Sequence, residues 1–145
     1  MIAVADTSGL LTLFNRSDPD HHAAREAADA CGFLVATPLA LTEVHQVATS
    51  LAGRVAADGI LRSLTTRVRQ MRLVLAPPTP EILDAALGVR ARYASLDLDL
   101  VDAVNVALAA EYGTDAVLTR DLRDFRAVRP LGGRHGCFRI LPDDL

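Results

Sequence analysis

The sequence predicts one α/β domain of the sandwiched kind, built on a mostly parallel sheet. Three observations carry that reading. Short runs that are apolar on both faces alternate with longer amphipathic stretches, the pattern of strands buried between helices. A capping side chain followed by proline recurs at Asp18-Pro19, Thr37-Pro38 and Thr79-Pro80, each reading as a helix start. The chain has 145 residues, half of them apolar, enough for one sizeable core. It shows no internal repeat, linker or low-complexity tract, so residues 1–145 form a single domain.

The elements follow in order. Residues 2–5 are apolar and meet a polar turn at Asp6, Thr7 and Ser8, which predicts a buried strand followed by a helix reaching Phe14. The three proline signatures start helices near 19, 38 and 80, and Gly32, Gly53 and Gly113 are expected to close helices near 31, 52 and 112. Residues 33–36, 73–76 and 116–118 are further buried strands. A helix over 60–71 places Ile60, Leu61, Leu64, Val68 and Met71 on one face. Residues 137–140 make a late edge strand.

Composition excludes several chemistries. All 15 basic residues are Arg, so enzymes that need a lysine are excluded, whether for a phosphate loop, a Schiff base or phosphoryl transfer. Aromatic residues are only 4% with no Trp, which argues against base-stacking modules. A net charge of −3 means that any attraction for nucleic acid must be local. Cys31 and Cys137 match no metal spacing and are expected to be buried thiols in a reducing cytosol. His21, His22, His45 and His135 form no zinc pattern, and His45 points away from Glu43 on a shared helix. The first five residues are too short for a signal segment and no run approaches a membrane span, so a soluble cytoplasmic protein with no membrane contact is expected.

The acids are skewed, with 14 Asp against 4 Glu, which suggests caps, turns or metal ligation. Asp6 stands after the first strand and Asp121 after the strand at 116–118. Ligands bind outside the carboxyl ends of such strands, so the two converge if the strands are neighbours. Each also has a structural alternative: Asp6 as a helix cap, and Asp121 with Asp124 as a cap and third-position pair. Glu43 flanks the buried stripe of its helix and needs a partner, either an Arg or a cation. Asp102 and Asn105 lie one turn apart beside the stripe of a helix over 100–112. Asp97 and Asp99, in the loop before it, read as solvent-facing or capping. Four carboxylates sharing one pocket repel unless a cation neutralises them, and a hard divalent ion such as Mg²⁺ suits oxygen ligands.

Four ordered motifs now meet a family. Ala5-Asp6-Thr7-Ser8, Leu41-Thr42-Glu43-Val44, the helix carrying Asp102 and Asn105, and the turn Thr119-Arg120-Asp121 through Asp124 together resemble the PIN-domain ribonucleases, in particular the VapC toxins of bacterial toxin–antitoxin pairs. The resemblance implies a three-layer α/β/α sandwich and a Mg²⁺- or Mn²⁺-dependent endoribonuclease leaving a 5′-phosphate and a 3′-hydroxyl. It also implies a cognate VapB-type antitoxin; a homodimer is expected besides. Asp6, Glu43, Asp102 and Asp121 match the catalytic acids, with Asp6, Asp102 and Asp121 holding the metal and Glu43 serving the attacking water. Thr7, Ser8, Asn105, Thr119 and Asp124 take supporting positions. The alternative is a PIN-like module that binds a partner or RNA without cleaving.

An acidic site needs a basic rim to receive RNA. Five Arg against one acid, Asp58, lie between residues 54 and 72; Arg62, Arg69 and Arg72 fall on the outer side of their helix. Arg120, Arg123, Arg126, Arg129 and Arg134 surround the Asp121 turn. Arg120, Arg123, Arg62, Arg69 and Arg72 are the expected RNA contacts. The apolar face over residues 38–71 is available for dimerisation or antitoxin docking.

Overall fold

Alternation along five short strands decides which helices cover which face of the sheet. In the computed structural model, which describes residues 1–145, the strands are β1 (Ile2–Ala5), β2 (Phe33–Ala36), β3 (Leu73–Leu75), β4 (Ala116–Leu118) and β5 (Arg139–Leu141). They line up in the order β3-β2-β1-β4-β5, with every neighbouring pair parallel, so the sheet is wholly rather than mostly parallel. Val4, Val35, Val117 and Ile140 point to one side, while Ala3, Ala5, Leu34, Ala36, Ala116 and Leu118 point to the other.

The second side is covered by α1 (Thr7–Phe14), α2 (His21–Ala30), α3 (Pro38–Ala52) and α4 (Arg54–Arg69), through Leu10, Leu13, Ala27, Leu41, Val44 and Leu64. The first is covered by α5 (Pro80–Arg92) and α6 (Leu100–Glu111), joined by Phe125 from the short α7 (Leu122–Ala127). Two buried clusters on opposite faces make the three-layer sandwich that the sequence implied. The chain runs outward through β2 and β3, then returns past β1 to form β4. That reversal opens a crevice at the carboxyl ends of β1 and β4.

Element boundaries correct several expectations. The second helix starts at residue 21 rather than 19, because Asp18 Oδ1 accepts the Asp20 N–H at 2.8 Å and closes a turn around Pro19 instead of capping a helix. α4 begins at Arg54 rather than residue 60; Arg54, Val55 and Ala56 are exposed and only Ala57 is buried before Ile60, so no apolar stripe marks these turns. Thr79 caps α5 by accepting the Ile82 N–H, as its proline signature implied. Gly53 and Gly113 have positive φ, but helix closure at residue 31 uses extended backbone at Cys31, not a left-handed Gly32. Cys31 is buried, whereas Cys137 is exposed because its neighbour Phe138 takes the inward position, packing edge-on against Phe125. No helix is long and apolar enough to cross a membrane.

One glycine sets the depth of the crevice. α1 lies so close to the end of β4 that a Cβ on Gly9 would stand 2.1 Å from the Leu118 carbonyl oxygen. Only glycine permits that approach.

Candidate active site

Asp6 ends β1 and turns its carboxylate into the crevice. It occupies the capping position of α1, yet its side chain caps nothing. Oδ1 accepts from Asn105 Nδ2 at 3.0 Å, and Oδ2 accepts from the Thr119 hydroxyl at 2.9 Å. Because Thr119 has spent its one proton on Asp6, the 3.1 Å contact between Ser8 Oγ and Thr119 Oγ1 must have Ser8 as donor. Ser8 in turn accepts the Arg120 backbone N–H at 2.8 Å, and Thr119 also accepts the Asp121 N–H at 3.0 Å. The donors therefore run in one direction, from the loop after β4 through Ser8 and Thr119 to Asp6. Such a chain polarises every link toward the carboxylate.

Burial nevertheless dominates at Asp6 and pushes its pKa up to about 6, against the hydrogen bonds from the Thr7 backbone and Thr119. The charges of Asp99 and Glu43 add to the rise. Asp102, on the first turn of α6, is pushed up to about 8, first by burial and then by the charges of Asp6, Asp99 and Asp121. Glu43 is raised by burial and by Asp99; the Thr7 hydroxyl approaches it closely enough to lower it somewhat, without a well-formed hydrogen bond. Asp124 is raised by burial and by Asp121.

Asp102, Asp121 and Asp124 each present an oxygen within 4.8 Å of the other two. Asp121 reaches that position while capping α7, accepting the Asp124 N–H at 3.2 Å. The capping role read from the sequence and the cluster role therefore coexist in one carboxylate. Sequence order gave Asp124 a supporting place and Asp6 a direct one. Here Asp124 stands inside the trio, and Asp6 lies beside it, anchored by Asn105 and Thr119.

Two features escaped the sequence. Asp99 caps α6, accepting the Asp102 N–H at 2.8 Å, as its loop position allowed, but it also bears on four other acids. Thr37 follows β2 as Asp6 follows β1; it is fully buried, and its hydroxyl caps nothing and meets no partner. Thr7 Oγ1 and Asn105 Oδ1 are likewise buried and unpartnered. Oxygens in this condition call for a ligand or water.

The arginines divide. Arg123 is exposed, makes no ion pair and lowers the Asp124 pKa, so it stands free at the acids. Arg120 is held by Asp20 at 3.0 Å and Asp143 at 2.9 Å, and Arg126 is clamped by both oxygens of Asp144. Arg62 is exposed in the middle of α4. Arg69 ends α4, and Arg72 lies beyond the helix with its guanidinium on the Gly32 carbonyl at 3.1 Å. Both precede β3, which puts them at the amino ends of the strands, across the sheet from the acids. His45 pairs with Asp58 at 2.8 Å, away from Glu43 as its helical spacing required.

A groove of about 1040 Å³ separates α1 and α2 from α3 and α4. Leu11, Phe14, Leu51 and Ile60 line it with apolar side chains, and Arg16, Arg25 and Arg67, with one acid, Asp18, supply charge. Ser8 and Arg120 line it as well, so it opens onto the donor chain that ends at Asp6.

Crevice, acids and sheet order together define a class. The PIN domain family profile matches residues 3–130, and the chain belongs to the PIN-domain family. Within it, the chain is 33% identical over 140 residues to Ribonuclease VapC26 of Mycobacterium tuberculosis, covering 96% of this chain and 99% of that protein, which sets it among the VapC ribonucleases. The fold also matches the crystal structure of Mycobacterium tuberculosis VapC20, a sarcin-ricin loop cleaving toxin, with a TM-score of 0.70 and 19% identity over 83% of this chain and 90% of that one. VapBC2 from Rickettsia felis, bound to a DNA fragment from its promoter, matches at 0.69 with 11% identity over 97% and 98%. A toxin–antitoxin complex from Klebsiella pneumoniae matches at 0.62 with 22% identity over 87% and 92%.

Proposed function

We propose that this ribonuclease is a toxin that hydrolyses RNA with a divalent cation, Mg²⁺ or Mn²⁺, and is neutralised by a VapB-type antitoxin. The observation that carries the reading is the convergence of Asp102, Asp121 and Asp124 within 4.8 Å of one another, with Asp6 alongside. Every donor there is an oxygen and none is a His or Cys, which fits a hard cation rather than zinc. The unpartnered oxygens of Thr7 and Asn105 fit its bound waters. Asp6, Asp102 and Asp121, with Asp124, would hold the ion. Bound there, it supplies Lewis-acid polarisation of the phosphodiester and a more acidic water.

The chain's own residues do the rest. Asn105 and Thr119 fix both oxygens of Asp6, so its direction does not depend on substrate. Ser8 ties that carboxylate to the loop bearing Asp121, keeping the two acids in register. Glu43, whose pKa is raised by burial and by Asp99, accepts the proton of the attacking water. Arg123 meets a substrate phosphate, with Arg62 and Arg120 as further contacts.

The groove beside Ser8 and Arg120 suits an antitoxin segment of mixed apolar and acidic character, lying against Arg25 and Arg67. On the opposite layer Leu87 and Leu100 are exposed, and we assign that surface to a homodimer contact, tested by mass in solution. The central experiment is cleavage of total RNA by the purified chain with Mg²⁺, with Mn²⁺ and with EDTA. Cleavage with either metal and none in EDTA is expected; undiminished cleavage in EDTA overturns the reading.

A further inference from the structure

Asp99 stands outside the four acids that the motif order singles out, and its surroundings are unusual for a cap. Its Oδ1 accepts the Asp102 N–H at 2.8 Å, which fixes the carboxyl at the amino end of α6. From there its charge bears on the Asp102 carboxyl one turn along. Its charge also bears on Asp6 after β1, Glu43 on α3 and Asp124 on α7. The charge of this one exposed carboxylate thus bears on four acids carried by four separate elements.

Capping does not explain the choice of residue. Asn, Ser or Thr caps a helix about as well as Asp. A neutral cap would spare a crowded site one more negative charge, so an Asp here worsens the repulsion unless a cation gains from it. An independent observation points the same way: Thr7 Oγ1 and Asn105 Oδ1 are unpartnered, in residues only 7% and 0% exposed, and they adjoin Glu43 and Asp6. Buried oxygens of this kind fit the water shell of an ion rather than a dry core.

We infer that Asp99 is a further carboxylate of the cation site, a positioning residue that holds the ion's outer waters on the solvent side while it caps α6. The inference rests on the metal-dependent reading above. It also sets this chain's site apart from one built on the motif acids alone.

The test is Mn²⁺ binding to the full chain, read by electron paramagnetic resonance, together with thermal unfolding of the metal-free protein. The variants are Asp99→Asn and Asp99→Ser, two neutral caps, with Asp102→Asn as reference. Both Asp99 variants are expected to weaken Mn²⁺ about tenfold, in the range for residues that orient metal ligands. Their metal-free melting temperature should hold or rise, because a like charge has been removed. Mn²⁺ affinity within a factor of two of the wild type in both variants overturns the inference, as does a fall in metal-free stability with unchanged affinity, which marks a cap and nothing more. If Asp102→Asn loses Mn²⁺ while both Asp99 variants keep it, the metal site survives and only the role of Asp99 falls. A wild-type chain that binds no Mn²⁺ sinks both.

Discussion

The two edges of the sheet treat polar groups in opposite ways. At the amino ends of the strands, Arg72 satisfies the Gly32 carbonyl, Gly32 N–H meets the Met1 carbonyl at 2.7 Å, and the Thr114 hydroxyl donates to Ile2 O at 2.6 Å. Asp115 is paired there with Arg139 and His135. At the carboxyl ends, acids crowd one another, the Thr7, Thr37 and Asn105 side-chain oxygens go without partners, and carboxyl pKa values climb. The first edge is almost finished by the chain itself, with only His135 Nε2 left buried and unpartnered. The other is completed only when something binds, and the contrast separates what holds the fold from what the fold presents.

Removing charge from the unfinished edge should have the largest effect on activity. Asp6→Asn is expected to lower metal-dependent RNA cleavage roughly 100-fold or more while the chain stays folded, measured by initial rates and circular dichroism. The largest effect on folding should come from the seam behind it: Gly9→Ala, forced against the Leu118 carbonyl, is expected to cost about 3 kcal/mol, read from denaturant unfolding. Thr119→Val deletes the donor to Asp6 Oδ2 and an acceptor for the Asp121 N–H, and should reduce cleavage or Mn²⁺ affinity by roughly 10- to 100-fold.

Proton binding sharpens the comparison further. Asp6 and Asp102 have pKa values of about 6 and about 8 in the folded protein, while an unfolded Asp sits near about 4. Between these limits the folded state binds more protons than the unfolded one, so metal-free stability falls as pH rises from about 4 to about 8. Melting temperatures at pH 5 and pH 8 should show the drop, and saturating Mg²⁺ should shrink it. The smallest effect belongs to the finished edge. Asp115→Asn breaks partly exposed pairs and should cost less than about 1 kcal/mol with cleavage rates unchanged.

Much of this architecture was readable in the residues. Thr79-Pro80 announced a helix and Thr79 caps it; the short apolar runs became parallel strands; of the four acids in motif order, Asp102 and Asp121 share one cluster, Asp6 bears on Asp102, and Glu43 bears on Asp6. Asp18-Pro19 misled because an Asp two residues before a backbone N–H closes a turn as readily as it caps a helix. Arg72 was misplaced because a helical wheel runs past the point where Gln70 and a left-handed Met71 end α4. Asp99 and Thr37 were out of reach for a different reason. Asp99 matters through the distant acids its charge reaches, and Thr37 through a hydroxyl buried without a partner; no local spacing encodes either.

Gly9 has a consequence for how this site tolerates change. Asp6 hangs from the β1–β4 seam through its own N–H on Leu118 O at 2.9 Å, and Thr119 hangs from the adjoining β4–β5 seam through its N–H on Leu141 O at 3.2 Å. A missing methyl group locks that wall in place. Asn105 ties α6 to Asp6, whereas Glu43 rides on α3 with no such bond, so any widening for a bulkier ion or a kinked phosphate chain must come chiefly from α3 moving outward, with the seam as the stationary anvil.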